Sequence, residues 1–186
     1  MVWILWMLAC TTQKEIDSGD IVPASYTFVD IASDGLSVSV VEPSRYLGVW
    51  YEVASVNTGF QANCTGTKAE YSLIDQETIA VYNTCWLSSL DGEFNEIEGT
   101  ATFQDASYAR LMVDFNFGFT FPYNIVELDG SGGEEAYGFA AVSSYNTLWI
   151  LSRESSMDDT LYEMLVQRLS QRGYPTENLR LTVQPE

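Results

Sequence analysis

From Gly48 onward, apolar and polar side chains alternate with a period of two in run after run, and clusters of turn-forming residues break the runs at spacings of 8 to 12 residues. The clearest run sets Thr67, Ala69, Tyr71 and Leu73 against Lys68, Glu70 and Ser72, so the first set is expected to face inward. The pattern predicts strands near 48–57, 64–73, 77–86, 94–104, 109–116, 122–129, 135–142 and 147–153. Consecutive strands with no helical interruption predict an all-β fold: an eight-stranded antiparallel up-and-down β-barrel, which has no open edge and room for one small ligand. Ile79 and Val81 continue the inward face of the second run. Pairing Tyr71 with Ile79 and Ala69 with Val81 leaves Ile74-Asp75-Gln76 as a three-residue connection. On this alternation the expected cavity lining is Val53, Ala69, Tyr71, Leu73, Val81, Phe103, Leu111, Val113, Phe115, Tyr123 and Phe139. The segment from Phe115 to Tyr123 is denser in aromatics than a solvated turn warrants; it is either a binding mouth or membrane contact, or the packing of a long hairpin.

From Leu148 to Leu151 both faces are apolar, so one is expected to line the interior and the other to lie under a cover. That cover is a C-terminal helix packed on the barrel wall. Ser156-x-x-Asp159 is a capping pattern, Leu161, Met164, Leu165 and Leu169 share one side, Arg168 and Arg172 suit the negative end, and Gly173 stops it. Leu179 to Val183 reads as a short extended return.

The amino end departs from this pattern. Residues 1–9 are almost wholly apolar, too short to span a bilayer but suited to an export signal. They end in Met7-Leu8-Ala9-Cys10, which resembles the bacterial lipobox, with Cys10 the lipidated mature N-terminus. Residues 10–35 read as an acidic tether and the domain is expected over 36–186; across that boundary Tyr26–Val29 and Leu36–Val40 flank Asp34-Gly35 as a candidate hairpin.

Charge narrows the partners. The chain carries 8 basic and 26 acidic residues, a formal charge of −18, and no His. Binding to a phosphate backbone needs clustered Lys and Arg, so nucleic acid is excluded as a partner. Lack of His removes the commonest general base and zinc ligand, and no metal site is expected.

Tyr46-Leu47-Gly48-Val49-Trp50-Tyr51-Glu52-Val53-Ala54 resembles the first signature of the lipocalins, and Leu148-Trp149-Ile150-Leu151-Ser152-Arg153 resembles a later block of the same family. The resemblance covers about residues 36–186 and is strongest to bacterial outer-membrane lipoprotein lipocalins, which are apolipoprotein D-like. It implies a structural role for Gly48, Trp50, Tyr51, Glu52, Trp149 and Arg153, with Arg153 reaching across the closed end to pack over Trp50, a cation–π contact worth roughly 0.5–2 kcal/mol. One departure is Ser144-Tyr145-Asn146-Thr147, which lacks the family's usual Asp-Tyr pair. Some lipocalins have Cys at positions similar to Cys64 and Cys85. The expected register places Cys85 opposite Thr65, and a bulge at Gly66 would bring the two thiols together. A disulfide is therefore expected, consistent with an oxidising compartment.

The family implies noncovalent binding, storage or transport of a small hydrophobic molecule such as a fatty acid or lysophospholipid, without a cofactor, and a place at the bacterial cell envelope with Cys10 holding the protein to the outer membrane. An enzyme on the same fold is the first alternative, with Glu52, Asp114 and Glu127 as acid–base candidates; a structural envelope lipoprotein with a filled cavity is the second.

Overall fold

The computed structural model describes residues 25–56, 59 and 61–185. Cys10 and the expected export segment lie outside them. Eight strands run in chain order: β1 (Gly48–Val56), β2 (Cys64–Leu73), β3 (Thr78–Leu87), β4 (Phe94–Phe103), β5 (Arg110–Asp114), β6 (Thr120–Leu128), β7 (Phe139–Ser144) and β8 (Thr147–Ser152). Each pairs antiparallel with the next, and β1 pairs with both β8 and β2, so the sheet closes on itself. A single helical turn, α1 (Pro43–Tyr46), leads into β1. The helix α2 (Asp159–Gln171) and a short strand β9 (Leu179–Leu181) follow β8.

The pairing of β1 with β2 extends only through Gly48 to Tyr51. Beyond that point β9 takes the same edge of β1, from Ala54 opposite Leu181 to Val56 opposite Leu179. The chain continues into the fork, where the Gln184 side-chain amide donates to the carbonyls of Glu52 at 2.8 Å and Thr67 at 2.9 Å. These bonds satisfy backbone groups that the parted strands no longer give each other.

Two apolar clusters hold the fold. One fills the barrel and is sealed at one end by Val38, Val41 and Tyr46. The other lies between the outer wall and α2, where Leu161, Leu165 and Leu169 meet Ala54, Ala141, Leu148 and Ile150. The double-sided apolar run of β8 is thereby explained: Trp149 and Leu151 look inward, Leu148 and Ile150 outward. The cap of α2 is Asp158, whose carboxylate accepts from the Leu161 amide at 3.2 Å, and not Ser156 as the capping pattern suggested.

Several expectations shift by small backbone events. Across β2 and β3, Tyr71 faces Val81 and Leu73 faces Ile79, two residues from the expected register. The connection is longer than expected because Asp75 folds Glu77 into the turn, accepting from its amide at 2.9 Å, while Ile74 donates to the Thr78 carbonyl at 3.0 Å. An even shift preserves which side chains face inward. The expected bulge is present between Thr65 and Lys68, with Gly66 at φ +59°, a conformation glycine adopts without a Cβ penalty. It leaves Cys64 opposite Leu87, so the Cys64–Cys85 disulfide crosses diagonally, with Cα atoms 5.5 Å apart.

Residues 25–35, assigned to a tether by their polarity, lie along the barrel instead. Phe28 bridges Asp129 and packs edge-on to Phe139 at 5.2 Å, and the Val29 amide donates to the Leu128 carbonyl at 3.0 Å. A hairpin does turn at Asp34-Gly35, pairing Ile31 with Val38, but its first arm is Asp30–Ala32 and not the expected Tyr26–Val29, where Phe28 and Val29 pair with the end of β6 instead.

Candidate ligand cavity

The closed end is built around Trp50, which is fully buried, and Arg153, whose guanidinium lies 3.8 Å from the Trp50 ring centre. Arg153 also donates to five backbone carbonyls, those of Arg45, Tyr46, Leu47, Val49 and Tyr137, at 2.6–3.1 Å. Gly48 sits beneath it at φ +94°, where a Cβ would come within 3.5 Å of the Arg153 Nη1 atom. Trp50 donates its indole N–H to the Tyr46 carbonyl at 2.8 Å, so ring and guanidinium converge on one turn of chain.

Above this plug three tyrosines form a floor. The Tyr123 hydroxyl is 2.8 Å from that of Tyr46 and 2.9 Å from that of Tyr71. Burial pushes the Tyr71 phenol up to about 12 and those of Tyr46 and Tyr123 well above their ordinary value, so all three stay neutral at physiological pH. The cavity rising from the floor has a volume of about 740 Å³, within the range of small-molecule sites.

Its wall is mainly apolar. Of the residues expected to line it, Ala69, Tyr71, Val81, Leu111, Val113, Phe115 and Tyr123 do so. Val53, Leu73, Phe103 and Phe139 do not. Val53 has the parity opposite to Trp50 and Glu52, which face inward, and so packs in the cluster under α2; the β1–β8 register shift between Glu52 and Ala54 then turns Ala54 to that same outer side. Leu73 keeps its inward parity but stands at the tip of β2, past the closed end, and is exposed. Phe103 turns edge-on to Tyr108 at 5.0 Å beside the interior cluster. Phe139 faces outward beneath Tyr26 and Phe28.

The aromatic segment forms the mouth. Phe115, Phe117, Phe119 and Phe121 contact one another in a chain of ring pairs 5.0–6.4 Å apart, and all four line the cavity. Phe117 and Phe119 are 58% and 57% exposed, which decides for a mouth over interior hairpin packing. Opposite, the Trp149 indole donates to the Gln61 side-chain oxygen at 3.1 Å. Tyr46 and Asn83 are among the further residues that line the cavity outside the expected set. Asn83 was legible, since it continues the alternation of Ile79 and Val81. Tyr46 was not, because it belongs to no strand.

The three carboxylates weighed as an acid–base set occupy three separate places. Glu52 lies in the cavity wall at the β1–β2 fork, accepting from Thr182 at 2.5 Å and Ser55 at 2.9 Å, and burial raises its carboxyl above the ordinary range despite these bonds. Glu127 is fully buried outside the barrel against Arg168 and Arg172. Asp114 caps the mouth hairpin by accepting from the Asn116 amide at 2.6 Å. Among the described residues no three His, Cys, Asp or Glu side chains are grouped to hold a metal.

A plugged end, a helix after the last barrel strand and an open apolar cup agree with the family comparison, in which residues 41–184 match the lipocalin-like domain. The chain belongs to the lipocalin family. It is 36% identical over 162 residues to a lipocalin of Acanthamoeba polyphaga mimivirus, covering 82% of this chain and 90% of that one. It is 35% identical over 145 residues to the outer membrane lipoprotein Blc of Vibrio cholerae, covering 76% and 82%. With temperature-induced lipocalin-1 of Arabidopsis thaliana it shares 32% identity over 152 residues, covering 76% and 78%. Among solved structures, lobster apocrustacyanin A1 superposes with a TM-score of 0.62 at 24% identity, covering 76% of this chain and 79% of that one. Insecticyanin of the tobacco hornworm Manduca sexta does so with 0.63 at 18% identity, covering 87% and 91%. These last two bear on the fold alone. The lipocalin membership and the cup together support the binding of a small hydrophobic ligand.

Proposed function

We propose that this lipocalin carries a small lipid, such as a fatty acid or lysophospholipid, at the bacterial cell envelope, held to the membrane through a lipid on Cys10. The observation that carries the reading is the cup of about 740 Å³, apolar in its wall and ringed by phenylalanines at its mouth. Each methylene transferred into such a space gains about 0.8 kcal/mol before ordering costs. The resemblance to Blc supports the envelope and the anchor. Dispersal of Glu52, Asp114 and Glu127 favours binding over acid–base chemistry. The formal charge of −18 favours a neutral or zwitterionic cargo over an anionic one.

Native mass spectrometry of protein purified from its own membrane is the test. The expected result is a bound species of lipid mass, released by organic extraction. A protein that carries nothing, and from which a neutral fluorescent probe cannot be displaced by any lipid, overturns the reading. Cys10→Ser is expected to move the protein from the membrane fraction to the soluble one; retention in the membrane overturns the anchor.

A further inference from the structure

The cavity is not apolar all round. On the wall formed by β1, β2 and β3, Glu52, Thr67 and Asn83 occupy adjoining positions. Glu52 and Thr67 flank the β1–β2 fork, where both carbonyls bond the same Gln184 amide, and Asn83 stands opposite Ala69, the next inward residue after Thr67 on β2. All three line the cavity. Thr67 is only 6% exposed. Its hydroxyl and the Asn83 side-chain oxygen are both buried and have no hydrogen-bond partner in the protein. A third such atom, on Gln184, is outside the cavity lining. Buried polar groups in native proteins are nearly always bonded, to protein or to ordered water, and two unbonded ones at adjoining positions on the cup wall make a polar spot that a ligand group entering the cup can take over from water.

We propose that this lipocalin selects lipids that carry a free hydroxyl group, which bonds Thr67 and Asn83 partway up the wall while the rest of the ligand fills the apolar space. The chemistry of the two side chains restricts the ligand group. An amide presents an acceptor and a donor, and a threonine hydroxyl is both. A hydroxyl complements these in either orientation of the amide. A carboxylate has no proton to give the Asn83 oxygen, and the neighbouring Glu52 carboxyl disfavours a second negative charge. The opposite wall, with Leu111, Val113 and Phe115, offers the hydroxyl nothing, so a ligand without one leaves the polar side unpaired.

This inference rests on the proposed carriage of lipid, and the experiment separates the two. N-phenyl-1-naphthylamine bound to the full-length protein is displaced with methyl stearate, methyl 12-hydroxystearate and 1-monostearoylglycerol. These are uncharged esters of one chain length, with no hydroxyl, a hydroxyl on the chain, and hydroxyls on the head. At least one hydroxylated ester is expected to bind about tenfold more tightly than methyl stearate, the gain of one or two net hydrogen bonds. Which of the two does so locates the hydroxyl on chain or head. The ratio is expected to fall to about one in Thr67→Val/Asn83→Leu and to persist in Leu73→Ala, at the exposed hairpin tip. Equal binding of all three esters to the wild-type protein overturns the inference and leaves lipid carriage standing. A preference that survives in the folded double variant also overturns it. If no ester displaces the probe, lipid carriage falls and the inference with it.

Discussion

Arg153 concentrates more interactions than any other side chain at the closed end, and none of them faces the cavity. Truncation in Arg153→Ala removes the contact with Trp50 and leaves five carbonyls short of a charged donor. A loss of about 3 kcal/mol is expected in urea unfolding, since a bond to a charged group contributes about 1.5–3 kcal/mol and the cation–π contact adds to it. Ligand affinity per folded molecule should be unchanged, because Trp50 and Arg153 lie below the tyrosine floor. Loss of binding with the fold intact would move the ligand to the closed end. Glu52 makes the opposite kind of prediction. Burial raises its carboxyl, so the folded state holds the proton more tightly than the unfolded chain. Stability from this group therefore falls as pH rises from the ordinary glutamate value, about 4.3, through the raised folded value. Glu52→Gln keeps an acceptor oxygen for Thr182 and Ser55 and has no charge to bury. Its stability relative to the parent should increase from pH 4 to pH 7 in paired urea titrations, and a difference that stays flat would show that Glu52 titrates normally.

Strands and helix were legible because alternation and helical spacing survive any single local deviation; what was lost were the deviations themselves. One bulge beside Val53 turns Ala54 to the outer side, although alternation from Trp50 and Glu52 would send it inward, and nothing in the composition of β1 marks the bulge. The Asp75 turn displaced the β2–β3 register by two residues and so kept the inward set, which is why Ala69, Tyr71 and Val81 were placed correctly from a wrong pairing. The docking of α2 shows a further limit. Arg168 and Arg172 suit a helix C-terminus, but nothing in their spacing signals that they reach Glu127 on β6, at 2.9 and 3.0 Å. Arg172 continues to the Val126 and Gly35 carbonyls, and Arg168 lies 4.2 Å over the Phe28 ring, so one cluster ties helix, wall and amino-terminal segment together. The charges are unequal in exposure, since the Glu127 side chain is fully buried whereas Arg168 is 38% exposed. Arg168→Ala/Arg172→Ala should thus destabilise by about 3–5 kcal/mol, the cost of stranding a buried charge. Adding Glu127→Leu to that pair should restore most of the loss, because the three together exchange a buried ion cluster for an apolar contact. Urea midpoints of the three proteins check this, and failure of Glu127→Leu to rescue would mean that the arginines act through their carbonyl and ring contacts.

At the scale of the molecule, charge is the property that packing does not balance. Acidic side chains outnumber basic ones 26 to 8, and Arg110, Arg168 and Arg172 are already committed to local ion pairs. On the outer wall Glu70 stands across from Tyr82, and Tyr82 across from Glu98, with Glu96 bonded to the Tyr82 hydroxyl. The Glu96 bond and the surrounding carboxylates hold that phenol above its ordinary range. Repulsion of this kind acts over roughly a Debye length, about 10 Å at 0.1 M salt and about 3 Å at 1 M. Raising NaCl from 0.05 to 0.5 M (about one order of magnitude, within the range where the Debye length shortens most usefully) should increase the urea midpoint, and KCl should match it, because screening does not distinguish the cations. The same field faces any approaching cargo. Association of stearate should therefore accelerate with added salt while that of methyl stearate, which carries no charge, should not. Stopped-flow traces with both ligands distinguish a field effect from a general change in the mouth. Acceleration of both would assign the salt dependence to the phenylalanine rim, and acceleration of neither would mean that the entrance is shielded from the acidic wall.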